Sequence, residues 1–237
     1  MKRNNYLRKL FLGSTFFSLV LCASAQEGGD AGSGQSGSMD ELVITPIRLP
    51  VLSEVGGSMF MTTDYRMANV VVNESKTVAA IPVKFNIFNN AIMVRKDGQD
   101  MQLEIFQEVS YESEETKGAK KRVVFRAGYP EIDRNSQRTI YQVLSAGPKV
   151  HLLKFYSQKV EDVNTLGDYS RREIVTSAEY YLYVPGGEIK KIKPAKKDIL
   201  AALPSLSGRI DEIASANNLK LKSESDITLL VEELNKP

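Results

Sequence analysis

The chain has 237 residues, 42% of them hydrophobic and 25% charged, with 31 Lys plus Arg against 29 Asp plus Glu, one histidine, one cysteine and no tryptophan. A single cysteine excludes an internal disulfide, and a single histidine leaves too few ligands for the usual zinc sites. Nearly balanced charge gives no general electrostatic reason to bind nucleic acid or an anionic membrane.

Lys2, Arg3, Arg8 and Lys9 form a positive N-terminal stretch, Leu10 to Leu21 an apolar run, and Ala23-Ser24-Ala25 a small-x-small cleavage pattern. The run is shorter than the roughly 20 apolar residues a spanning helix needs, so residues 1–25 are expected to be a secretory signal peptide. Cys22 at the end of the run could carry a lipid, but Leu21 before it is larger than a lipoprotein peptidase favours, and simple cleavage is the expectation. Removing the leader's four basic residues leaves 27 basic against 29 acidic, a mature net charge of −2. The mature chain is expected to be exported, periplasmic or associated with the cell envelope, with no transmembrane segment.

Residues 26–39 are rich in Gly and Ser with little to bury and read as a disordered linker. Residues 40–237 read as a single domain, in which 40–58 are an irregular lead-in. Strands dominate 59–193. In IPVKFNIF, Ile81, Val83, Phe85 and Ile87 alternate with Lys84 and Asn86, and Asn89-Asn90 then predicts a tight hairpin into AIMVRK. Asp97-Gly98 predicts a second turn, followed by MQLEIFQEVSY with Met101, Leu103, Ile105 and Val109 in step. The charged stretch 112–122 reads as a solvated hairpin end, and RVVFRAGY, RTIYQVLSAG, VHLLKFY, REIVTSAEYYLYV and EIKKIK read as further strands. Short connections make the neighbours antiparallel. After 193 the period changes: KKDILAAL, GRIDEIASANN and SESDITLLVEELN are helical, clearest at Ile227, Leu230, Val231 and Leu234, with Ser223 as an N-cap. Strands followed by helices define an α+β fold: a curved, half-barrel-like antiparallel meander of about eight or nine strands with two or three C-terminal helices.

Chemistry is sparse. His151 alternates with Leu153 and Phe155 and reads as a half-buried strand histidine. No GxSxG, P-loop or GxGxxG motif occurs, so no cofactor and no metal are expected. Glu112, Glu114 and Glu115 share one charged loop, and Glu131 and Asp133 follow Pro130 in an exposed connection, so paired carboxylates in an apolar cleft are not indicated.

The stretch AEYYLYVPGGEIKKIKPAKKDIL draws more attention. Ala178, Tyr180, Leu182 and Val184 face one way and Glu179, Tyr181 and Tyr183 the other, so both faces of this strand are substantially apolar. RTIYQVL and VHLLKFY share the property, and a sheet with one wet face would alternate more cleanly. Something covers the second face: the C-terminal helices, the curl of the sheet itself, or a ligand. Tyr141, Tyr181 and Tyr183 are the candidate lining if a lipid-like ligand sits there. Lys190, Lys191, Lys193, Lys196 and Lys197 span a strand end and a helix start and read as a solvated edge.

PVKFNIFNNAIMVRKDG and KKDIL…NNLKLKSESDITLLVEELN resemble an uncharacterised family of exported proteins common in Bacteroidetes. There an RYNIYND-type hairpin precedes a β meander and a closing LKLK…DL..LV helix. Asn86, Ile87, Asn89, Leu219, Lys220, Leu221, Asp226, Leu230 and Val231 fit the pattern. Lys84 replaces its arginine, Phe85 and Phe88 its two tyrosines, and its YYN end is here Glu233-Leu234-Asn235. The resemblance implies export and fold and transfers no site. The resulting expectation is a cell-envelope protein without catalytic activity that binds a protein partner or envelope component. A periplasmic carrier of a lipid-like ligand is the alternative, and a carboxylate-dependent hydrolase is the third reading.

Overall fold

Turn chemistry sets the first strands. In the computed structural model, which describes residues 36–52, 54–114, 120–163 and 171–237, Asn90 and Asp97 have φ of 49° and 50° and Gly98 has φ of 79°. These left-handed turns, which Asn, Asp and Gly tolerate best, close two successive hairpins. The strands are β1 (Ser36–Gly37), β2 (Ile44–Pro46), β3 (Val55–Gly56), β4 (Arg66–Asn73), β5 (Lys76–Asn86), β6 (Ala91–Lys96) and β7 (Gln99–Leu103). Then come β8 (Glu108–Glu114), β9 (Lys120–Arg126), β10 (Tyr141–Ser145), β11 (His151–Val163), β12 (Arg171–Tyr183) and β13 (Ile189–Ile192). The helices α1 (Lys196–Ala202), α2 (Ser207–Ala216) and α3 (Glu224–Asn235) follow. The fold is α+β, as the change of period predicts.

All the described strands join one open sheet in the order β13-β12-β11-β10-β9-β8-β4-β5-β6-β7-β2, with β1 paired to β5 and β3 to β12. Two meanders, β4–β7 and β8–β13, meet where β8 returns to lie beside β4. Four strand spacings separate β8 from β7, about 19 Å along a flat sheet, whereas the link 104–107 reaches about 17 Å fully extended. The strands therefore curl, and their own side chains fill the concavity: Val70, Val83, Phe85, Val94, Val109 and Phe125 are among its buried members.

Several expectations are corrected. MQLEIFQEVSY is not one strand: it breaks at 104–107 for the return to β4, which leaves Ile105 55% exposed. The predicted loop 112–122 is largely ladder, with Glu112, Ser113 and Glu114 opposite Arg122, Lys121 and Lys120; its tip, with Glu115, lies outside the described residues. Asn86, expected on the wet face, is buried beside the bridge to Phe60; its Oδ1 accepts the Asn89 N–H at 3.1 Å and shapes the turn. The lead-in contributes β2 and β3, the 3-10 turn Met39–Glu41 begins on the last linker residue, and Ser36–Gly37 of the predicted linker pairs with β5, so the described residues hold thirteen strands where eight or nine are expected. The proposed signal peptide, Cys22, linker residues 26–35 and the Gly167-Asp168 turn lie outside the described residues.

The helices pack on one face of β10–β13. Ile227, Leu230, Val231 and Leu234 of α3 meet Val150, Leu152, Leu182 and Ile192. Burying each such side chain is worth about 1.5–3 kcal/mol. The Ser223 hydroxyl caps α3 by accepting from Asp226 N–H at 3.1 Å, and the Asp226 carboxylate accepts from Lys220 and Leu221 N–H at 2.9 and 2.8 Å. Asn235 closes the other end: its Oδ1 accepts from Lys149 and Val150 N–H, both at 3.0 Å, and its Nδ2 donates to the Val150 carbonyl at 2.8 Å. Asn86, Asn89, Lys220, Leu221, Asp226 and Asn235 thus hold turns and helix ends together. Among the described residues no helix is long and apolar enough to cross a membrane.

Candidate functional site

On β12, alternation sends Leu182 and Tyr180 towards the helices and Tyr181 and Tyr183 to the opposite face. Tyr180 donates to Glu224 Oε2 at 2.8 Å, and Lys154 pairs with the same oxygen at 2.6 Å, tying the sheet to the first turn of α3. Burial opposes the Glu224 charge, but hydrogen bonds from Lys154 and Tyr180 outweigh it and hold the carboxyl below its ordinary value. Ala178, assigned to the core-facing set, is exposed, because the hairpin has run beyond the helices there.

The structure brings all three candidate tyrosines onto one face. The Tyr141 and Tyr181 ring centroids are 5.5 Å apart, and Tyr129 bridges to Tyr141 at 5.7 Å and Tyr183 at 5.2 Å, all near edge-on. Tyr141 is 0% and Tyr181 1% exposed, and Tyr183 is half-buried. The sequence reading offered the helices as the simplest cover for this face. They lie on the other face instead, and Tyr129 and Ile132 from the β9–β10 connection cover the tyrosines. The rings themselves fill the space a ligand would need.

Polar groups in the cluster are largely paired. Tyr181 donates to Glu179 Oε2 at 2.9 Å and accepts from Asn135 Nδ2 at 3.3 Å, and Glu179 pairs with Lys191. Burial, then the Glu179 hydrogen bond, push the Tyr181 phenol up; the Lys191 hydrogen bond leads in holding Glu179 below its ordinary value. His151 is half-buried with Nδ1 3.1 Å from the Tyr129 hydroxyl, and burial lowers its pKa. Glu131 and Asp133 are exposed, and Glu112 pairs with Lys120 at 3.0 Å. Among the described residues no group of three or more His, Cys, Asp or Glu is placed to hold a metal ion.

Two concavities matter more than the tyrosine face. One, of about 590 Å³, lies at an end of the curled sheet under Leu103, Phe106, Ala127 and Ile140, rimmed by Gln102, Glu104 and Arg138. The other, of about 370 Å³, runs beside β13 between Asp198, Ala201 and Ala202 of α1 and Ile132 of the β9–β10 connection, with Ile189, Lys190 and Lys191 as its floor. β13 pairs only with β12 among the described residues, so this groove follows an open sheet edge. The sequence reading singled out the lysines here and missed Ile132, because the groove is assembled from three separated segments. The chain matches no protein-family profile, no curated protein and no solved structure.

Proposed function

We propose that this chain is an exported cell-envelope protein that acts by binding a protein partner, without catalysis. The observation that carries this reading is the groove along β13, where a strand edge lies open between apolar walls from Ile132, Ala201 and Ala202. Unpaired main-chain groups beside apolar surface suit a polypeptide, which offers both. The filled tyrosine face supports the same reading, since a ligand held on that face would need the space where Tyr141 and Tyr181 now pack.

The concavity under Leu103, Phe106 and Ile140 favours one second reading, a site for a single acyl chain. Mass spectrometry of the mature protein from its own envelope, native and then denaturing, separates the two. A clean apo mass, with protein adducts after cross-linking in intact cells, is the expected result. A lipid-like mass lost on denaturation, with no protein adduct, would establish the carrier instead.

A further inference from the structure

We propose that two copies of this chain pair edge to edge through β11, antiparallel and centred on Val160. This goes beyond the reading that the chain binds a different protein, and it uses neither the β13 groove nor its occupant.

β11 outruns its neighbour. β10 pairs with it only at Leu152, Leu153 and Lys154, whereas β12 follows it from His151 to Val163. Among the described residues, Ser157–Val163 therefore meets no strand on its outer side. That open stretch is longer than β13, with four residues, and than β2, with three, one of them Pro46. An open edge of this length is a template for another strand.

The direction of the main-chain groups follows from β12. Val184 N–H donates to the Glu188 carbonyl, and a Cβ on Gly57 would lie 3.4 Å from Ile174 O and 3.5 Å from Ile174 N. Even-numbered residues of β12 thus turn their main-chain groups away from β11, and ladder bonds alternate. Ser157, Lys159 and Glu161 bond to Ser177, Val175 and Glu173 inside the hairpin. Gln158, Val160 and Asp162 are left with N–H and C=O groups that point outward.

The side chains choose the occupant and the register. When Val160 meets Val160 of a second copy, Gln158 meets Asp162, and every outward donor finds an outward acceptor. Lys159 then stands opposite Glu161 of the second copy, and Glu161 opposite its Lys159. Both positions fall between bonded pairs, where facing side chains come closest. The two side chains are within a partner's reach: Lys159 is 67% and Glu161 41% exposed, and they pair with each other along the strand. Inside the hairpin Glu161 faces Glu173, so a second lysine also offsets a like-charge contact. Sliding the second copy by two residues either way sets Lys159 opposite Lys159 or Glu161 opposite Glu161, which is unfavourable. The charges that discourage a foreign strand are thus the ones that a second copy answers.

The test is sedimentation velocity of the mature chain over a concentration series. A short ladder buries less area than stable complexes do, so the expected dimer is weak, with a Kd of about 10–100 μM. Lys159→Glu and Glu161→Lys each replace both attractive pairs by repulsive ones and are expected to weaken association about tenfold or more. Mixed in equal amounts, the two variants bring opposite charges together at both positions and are expected to associate as the wild type does. The double exchange, Lys159→Glu with Glu161→Lys, should self-associate for the same reason, and it keeps the test open if one single variant folds poorly. A wild type that stays monomeric at about 1 mM, or single variants that dimerise unchanged, overturns the proposal. So do monomers in both the mixture and the double exchange. A self-pair has twice the mass of the chain, so it is read separately from an adduct with a different protein at the β13 groove.

Discussion

Phe85 of β5 and Phe125 of β9 stand three strands apart in the sheet order, yet their ring centroids lie 4.6 Å apart. On a flat sheet about 14 Å would separate them. Contact across the concavity means the sheet has rolled until side chains of distant strands meet, and the two rings measure that roll. Phe125→Leu and Phe85→Leu are each expected to destabilise the protein in urea unfolding. Their effects should couple by about 1 kcal/mol in a double-mutant cycle. Strict additivity would mean the rings do not meet in solution.

The α3 anchor gives a second test. A Cβ on Gly147 would lie 2.4 Å from Asn235 Cγ and 2.7 Å from its Cβ. Gly147→Ala must push Asn235 away and break its bonds to Lys149 and Val150, at an expected cost of about 2–3 kcal/mol. Asn235→Ala removes the same bonds directly. The double variant should therefore lose less than the sum of the two, read from chemical denaturation midpoints.

Acidification probes the Lys154–Glu224–Tyr180 contact. Glu224 is held below its ordinary carboxyl value of 4.5, so its charged form binds better in the folded chain than in the unfolded one. A depressed folded pKa contributes stability that is fully present above the unfolded pKa and lost as pH falls through the folded one. Melting temperature is expected to fall below about pH 4.5, and Glu224→Gln should flatten part of that slope while lowering stability at pH 7. An unchanged slope in Glu224→Gln would assign the acid sensitivity elsewhere, with Asp226 the next candidate, because Ser223 and the backbone N–H groups of Leu221 and Lys220 lower its pKa too.

What the sequence made legible was local. The stripe Ile227, Leu230, Val231 and Leu234 repeats at the helix period, and all four are buried. Asn90, Asp97 and Gly98 carry their turn chemistry with them. Long-range consequences were not legible. Ile105 continues an apolar alternation although the chain there has left the sheet to return to β4. Tyr129 ends the stretch RVVFRAGY, which reads as a strand, but β9 stops at Arg126, and nothing local marks Tyr129 or Ile132 beyond it as the cover of Tyr141 and Tyr181. The β13 groove needs the lysine strand, α1 and Ile132 together, and only folding puts them there.

Ala80 offers the last prediction. It has φ of 57° and sits between Val78, paired with Val70, and Ile81, paired with Ala68, where the ladder shifts register. The bend lets one strand serve two partners: β1 pairs at Thr77 and Val78, and β6 at Val83 to Asn86. A left-handed conformation costs a residue with a Cβ about 1–2 kcal/mol, whereas glycine adopts it freely and loses about 0.5–1 kcal/mol of unfolded-chain entropy. Ala80 is exposed, so its methyl contributes little packing. Ala80→Gly is therefore expected to stabilise the protein by about 0.5–1 kcal/mol in urea unfolding, and Ala80→Val to destabilise it by more than that. A destabilising glycine would show that the bend is held by contacts of the methyl group and not tolerated in spite of it.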